Sequence, residues 1–508
     1  MRSRTQVSHT AMSAHYVESL ENGHAGQRSR LFDHPQSNFV TGSECIVGFD
    51  GPSDPYQPRN WPSRKKLLTT ALYGLITMTA TWTTSIYSPA VDEISQAFGV
   101  SKEVSLLGLS FCLLEFGPLV WAPLSEVYGR KWPVLVPCAA AAIFSFGAGA
   151  AKDIQTILIC RFFTGFFGSA PVSNTGGVLS DIYSPTARGY AIMSYSLAVI
   201  VGPTLGPLVG SALVESHLGW RWTQYLAGIL QISIVLIGAL ILEESYEPVL
   251  LIRKAKYLRA TTGNWALHTE FEEWIGNITL KYYFNKFGIR PVQMLLTPIC
   301  FLVALHASFI FGVFYATLAA FPILFDQTRH WNSVVGSLAF LALLVGILLG
   351  AIVVALGQYH YNHVYMAAGG VTVPEARLPP MMIGSFVFAA GLFILGWTAN
   401  PSIPWIVSFI GAGCVGFGFF TVFQSALNYL LDVFNRWGAS AIAANTFLRS
   451  TLAAVFPLFI DSMYQALGNG PATSVFGGFA VLLIPIPFFF WIWGPRIRSS
   501  GKYTFNVG

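Results

Sequence analysis

The chain has 508 residues, of which 53% are hydrophobic and only 10% charged, with a formal net charge of +5. A soluble domain carries about 25% charged residues, so too few charges are present to wet a globule of this size, and apolar surface must face lipid. The basic excess is spread over loops, where it bears on topology and not on nucleic-acid binding.

Residues 1–60 are rich in Ser, His, Asn and Arg and lack the apolar core of a signal peptide. They read as a disordered cytoplasmic tail. A spanning helix needs about 20 apolar residues to cross roughly 30 Å of hydrocarbon. Six stretches qualify in a first half, 61–242: 67–90, 104–122, 133–151, 156–179, 189–212 and 221–242. A polar connection, 243–293, follows. A second half, 294–495, holds 295–320, 333–356, 380–399, 403–430, 439–463 and 473–494, before a short tail, 496–508. Five of the six cysteines (Cys112, Cys138, Cys160, Cys300, Cys414) fall inside apolar runs and none forms a Cys-x-x-Cys pair. They read as buried small hydrophobes, and neither a metal nor a cofactor is implied.

Orientation follows from the basic residues of the loops. With a cytoplasmic amino terminus, nineteen lie inside, among them Arg64, Lys65, Arg130, Lys131, Arg188, Arg253, Lys254, Arg377, Arg436 and Arg496. Four lie outside: Lys102, Lys152, Arg221 and Arg329. Both termini are therefore expected in the cytoplasm. The sequon at Asn277 then faces the cytoplasm, where glycosylation is not expected. A 6+6 division suggests two helical bundles with a solute path between them.

Full charges inside the spans are few: Glu115, Arg161, Arg449 and Asp461. Each costs at least about 2.5–3.5 kcal/mol near a helix centre. Asp461 sits near the outer end of its span and can simply be wet. Arg161 either bonds backbone carbonyls or snorkels outward, or it is a fixed charge that tunes a proton-accepting group. Glu115, near the midplane, has three readings: a proton carrier whose pKa burial raises, an ionised partner of Arg449 across the two bundles, or a neutral hydrogen-bonded side chain. Thr83, Asn174, His306, Gln424 and Asn428, with Trp82, Tyr87, Phe419 and Phe420, suit a wide apolar pocket with a few orienting polar groups. Each taken singly also suits an interhelical hydrogen bond or a lipid contact.

Ala122-Pro-Leu-Ser-Glu126-Val-Tyr-Gly129-Arg130-Lys131 resembles the signature loop of the major facilitator superfamily, with Glu126 where Asp is usual and Ala122 where Gly is usual. The resemblance implies a conformational latch built from Glu126, Gly129, Arg130 and Lys131. Arg161-Phe-Phe-Thr-Gly165 resembles the helix 4 signature linked to proton coupling. Gly202-Pro203-Thr-Leu-Gly206-Pro207-Leu-Val-Gly210 resembles the antiporter signature, with Ser211 replacing its last glycine. Glu244 to Lys256, Arg377-Leu-Pro-Pro380, Phe423 to Tyr429, Ala444-Asn-Thr-Phe-Leu-Arg449 and Gly494-Pro-Arg-Ile-Arg498 are similar to fungal twelve-spanner drug:proton antiporters. Glu115 departs from that family, where a small residue is expected.

The resemblance implies an all-α membrane protein of twelve transmembrane helices in two six-helix bundles. Its expected activity is proton-coupled efflux of an amphipathic drug, toxin or secondary metabolite, such as a polyketide, by alternating access. Arg161 and Glu115 would couple protons, with the chain a monomer in the plasma membrane, or less expectedly the vacuolar membrane. A proton-linked importer of a nutrient or vitamin is the alternative, which the glycine–proline run argues against. An integral membrane enzyme or receptor finds no nucleophile elbow or P-loop to support it.

Overall fold

A computed structural model describes residues 45–51, 53–114, 116–276, 289–434 and 437–499. The tail before residue 45, Glu115, Asn277 and Arg436 fall outside these residues, so the expectations resting on them are not addressed by it. Among the described residues, eleven helices are long and apolar enough to cross a membrane. The twelfth span is the first one, α1 (Ser63–Ser85), which opens on Arg64, Lys65 and Lys66 and is rich in threonine. Its hydroxyls are satisfied within the helix: Thr77 donates to the Tyr73 carbonyl (2.8 Å), Thr81 to Thr77 (3.1 Å) and Thr83 to Thr79 (2.8 Å). Back-bonding of this kind lets a polar-looking helix lie buried against its neighbours.

The first half continues with α2 (Val91–Phe98) at the outer end, then a second span broken into α3 (Lys102–Leu113) and α4 (Pro118–Tyr128). The remaining spans are α5 (Trp132–Gly149), α6 (Ile154–Ile182), α7 (Pro185–Glu215) and α8 (Arg221–Ile241). Gly202, Gly206 and Gly210 of α7 lie on one face against α1 and the turn after it. A methyl on Gly202 would sit 3.1 Å from the Trp82 nitrogen, and one on Gly210 2.6 Å from the Ile86 carbonyl. Thr81 donates across that seam to the Val199 carbonyl (3.0 Å). The glycines set how closely the two backbones approach.

The central connection contains helices: α9 (Glu247–Thr262), α10 (Glu270–Gly276) and α11 (Arg290–Leu295). A strap ahead of α1 docks on them. Lys254 of α9 meets Asp50 (2.8 Å) and Asp54 (3.7 Å), and the Val47 amide donates to the His268 carbonyl (2.8 Å). Backbone amides of Asp50 and Tyr56 donate to Asp54 and hold its carboxyl below the usual range.

The second half comprises α12 (Pro298–Phe321), α13 (Ser333–Gly336) running into α14 (Ala339–Ala367), α15 (Pro379–Trp397), α16 (Trp405–Phe434) and α17 (Gly438–Leu467). The last span is α18 (Asn469–Leu483) with α19 (Pro485–Ser499). Twelve spans with both termini on the cytoplasmic side place the starts of α7, α12 and α17 inside, and the starts of α3, α6 and α14 outside.

Candidate functional site

Arg161 lies two turns into α6 and is fully buried. Its guanidinium donates to carbonyls of Gly108 (3.1 Å), Thr83 (2.8 Å) and Thr84 (3.0 Å), and to Gln224 Oε1 (3.3 Å). The Tyr87 ring lies 4.6 Å from it, and the Tyr87 hydroxyl donates to the Ser105 carbonyl (2.9 Å). Thr83 and Thr84 belong to the last turn of α1, whose carbonyls have no helical partner and carry the negative end of the helix dipole. Four spans are thus tied to one cation, and all these acceptors are neutral. The guanidinium is thus held by backbone carbonyls, an arrangement that also fixes its charge in place.

A second buried cation stands in the other half. Arg449 of α17 packs over the rings of Phe311 in α12 (4.5 Å) and Phe423 in α16 (5.4 Å). Phe419 stacks on Phe314 at 4.1 Å beside them. Nearby polar groups are held with open valences among the described residues. Gln424 and Asn445 are fully buried, and neither amide has a hydrogen-bond partner. His306 has Nε2 3.5 Å from Ser385 Oγ, and its Nδ1 has no partner. Leaving a buried polar group unsatisfied costs roughly 1–3 kcal/mol, so these positions suit a polar solute group or water. The other pocket candidates are placed differently. Asn174 donates to the Trp121 carbonyl (3.3 Å), Trp82 is buried with a free indole N–H, and Asn428 faces a narrow crevice with Gln358 and Arg377.

The latch loop has acceptors that its motif does not contain. Gly129 adopts φ +94°, a region that favours glycine, and turns the next two amides toward one carboxylate. Glu244, just after α8, accepts from the backbone N–H of Arg130 (2.7 Å), Lys131 (3.2 Å), Ser245 (3.0 Å) and Tyr246 (3.0 Å). The Arg130 side chain pairs with Asp181 at the inner end of α6 (3.1 Å), reaches Ser125 Oγ (2.9 Å) and lies 4.7 Å from the Tyr246 ring. Glu126 is half-buried one turn before Gly129.

The second half repeats this arrangement without the motif. Arg377, between α14 and α15, pairs with Asp432 near the inner end of α16 (2.8 Å), donates to Gln358 and covers the Tyr361 ring (3.3 Å). At the inner end of α19, Arg498 meets Glu375 (3.3 Å). At the opposite side a cavity lies between the halves, lined by Asp92, Lys102, Glu215, Asp326, Phe340 and Asp461 among others. Lys102 of α3 meets Asp92 (3.0 Å) and, across the divide, Asp461 of α17 (4.0 Å).

The sequence profile described as Major Facilitator Superfamily matches residues 73–457. The chain belongs to the major facilitator superfamily. This membership makes it a multi-pass membrane transporter of small molecules and not an enzyme. An efflux pump of Gibberella fujikuroi, bik6, is 48% identical over 90% of this chain and 95% of its own. The transporter mrr1 of the citrinin biosynthesis cluster of Monascus ruber is 40% identical over 93% and 95%. The multidrug transporter FLU1 of Candida albicans is 39% identical over 91% and 76%. Among solved structures, the Escherichia coli xylose transporter XylE aligns with TM-score 0.59 at 17% identity, over 85% of this chain and 98% of that one, which speaks to fold alone.

In this major facilitator protein the predicted residues divide into separate groups. Tyr87 joins Arg161 in one half, while His306, Gln424 and Arg449 belong to the interior of the other. The large cavity lies further out, and none of the nine pocket candidates lines it. Asp181, Asp432 and Gln358 were not singled out from sequence, and Glu244 and Asn445 appeared only inside family likenesses. Asn445 stands one turn before Arg449, on the same helix face, and that spacing was its available signal.

Proposed function

We propose that this transporter exports an amphipathic organic compound in exchange for protons, acting as a monomer in the plasma membrane. The observation that carries the reading is Arg161 of α6, a cation buried among carbonyl dipoles, two of them on α1, the helix that the antiporter-type glycines of α7 approach closely. A fixed charge of this kind, placed in a low dielectric, shifts the proton affinity of an acid sharing its half. Glu115 is the acid we nominate, with ionic pairing to Arg449 as its resting alternative. The relatives named as an efflux pump, a multidrug transporter and a biosynthesis-cluster transporter support the outward direction and a secondary-metabolite or drug-like substrate.

Cells expressing the chain should retain less of a toxic amphipathic compound, and an uncoupler should abolish that difference. Arg161→Ala should remove transport at unchanged membrane abundance, and Arg161→Lys should restore little, because an ammonium cannot reach three carbonyls in a fork. Normal transport by Arg161→Ala would sink the coupling assignment. Retention unchanged across a broad panel of toxic compounds would sink export.

A further inference from the structure

The inner end of α14 is polar where a lipid-facing helix would be apolar, and its most buried member there is Gln358, 4% exposed. Its carboxamide is held at both ends. The oxygen accepts from Arg377, whose guanidinium is itself fixed by Asp432 (2.8 Å) and the Tyr361 ring (3.3 Å). The nitrogen donates to Asn362 Oδ1 (2.8 Å) one turn on. A side chain tied in this way cannot swing aside without breaking a hydrogen bond to a buried cation.

Gly189, one turn into α7 of the first half, packs directly on that carboxamide. A methyl group built on Gly189 would overlap Gln358 Oε1 and lie 2.7 Å from Nε2. The contact therefore joins the two halves at their inner side, while the large cavity lies between their outer ends.

We propose that Gln358 is an uncharged inner latch, positioned by Arg377 and Asp432, which seats on Gly189 when the inner side is shut and must leave it when that side opens. The absence of a side chain at Gly189 is what the seat requires. Because Gln358 carries no charge, separation exposes an amide and not an ion, which water solvates at low cost.

The test reads the distance between the halves and not flux, so it stands or falls independently of export or proton coupling. Spin labels replace Tyr190 and Tyr359, both exposed and adjacent to the contact pair, in full-length protein whose native cysteines are exchanged for serine or alanine, reconstituted in nanodiscs. Pulsed dipolar spectroscopy should give a predominantly short distance. Gly189→Ala should raise the long-distance population several-fold, and Gln358→Ala should raise it less. Gly189→Ala with Gln358→Ala should return the distribution toward the short distance, because the methyl then occupies vacated space. Gln358→Glu, which keeps size and strengthens the bond to Arg377, should retain the short distance. Size-exclusion profile and thermal midpoint identify variants that are merely misfolded, and the Gln358 pair then decides alone. An unchanged distribution in well-folded Gly189→Ala and Gln358→Ala, or a double variant no different from Gly189→Ala, would overturn the proposal.

Discussion

The inner ends of the two halves solve one problem with different residues. In each, an arginine from the loop between the second and third spans pairs with an aspartate near the inner end of the fourth and lies over a tyrosine ring. The first half uses Arg130, Asp181 and Tyr246; the second uses Arg377, Asp432 and Tyr361. They differ in depth and support. Arg377 and Asp432 keep 10% and 7% of their side-chain surface exposed, Arg130 and Asp181 12% and 17%. The first clasp is braced by Glu244 and by a cytoplasmic cap, since Tyr246 also packs on Phe271 of α10 (5.9 Å). The second ends on the Glu375–Arg498 pair. The repeated feature is therefore the pairing of charges at the membrane edge, and a motif is only one way of encoding it.

Depth predicts where disruption hurts most. Removing one partner of a buried ion pair typically costs about 3–5 kcal/mol, because the other charge is left uncompensated. Asp432→Ala should fall in that range, seen as a large drop in the thermal midpoint of purified protein. Arg377→Ala combined with Asp432→Ala should cost less than the sum of the single changes. Glu244→Gln should cost about 2 kcal/mol, since one charge-assisted acceptor is lost and an amide N–H is turned toward a backbone N–H. Asp181→Asn should cost about 1–2 kcal/mol, because Arg130 keeps Ser125 and Tyr246 and is better hydrated. If Asp181→Asn proves as damaging as Asp432→Ala, depth is not the governing difference and the comparison fails.

Much of the fold was legible in the sequence because a helix rising 1.5 Å per residue makes span length countable. The threonine-rich α1 was found too, as the stretch 67–90, although its hydropathy is the least persuasive. Legibility ended at the acceptors. Gly129-Arg130-Lys131 displays its donors within three residues, but Asp181 and Glu244 lie 51 and 114 residues away from Arg130. The sequence reading looked for a carboxylate inside the motif and settled on Glu126. In the second half no signature marked the loop, so Arg377 appeared only in the loop charge count and as a family likeness, and Asp432 not at all. Asn445 appeared only inside the likeness of Ala444 to Arg449; its unfilled hydrogen bonds are visible only in three dimensions.

The smallest effect tests whether the cap supports the first clasp. His268 bonds the Ala266 carbonyl and Glu273 (both 2.7 Å), with Glu272 and Arg259 close by, and the carbonyl contact followed by the acidic partner raises its pKa above 6.5. A raised folded-state value means the protonated ring favours the docked form. That contribution is complete below the unfolded pKa and disappears as pH rises through the folded one. The same residue's carbonyl receives Val47 of the strap, so exchange of the Val47 amide should quicken modestly as pH rises through that window, beyond the intrinsic rate increase. His268→Ala should erase the excess. If the cap braces Arg130, the Arg130 and Lys131 amides, which donate to Glu244, should lose protection over the same window while the Ala376 and Leu378 amides of the second clasp do not. Equal changes at both ends would mean a global loosening. No change at Arg130 would show that the first clasp holds without its cap, leaving depth as the difference between the halves.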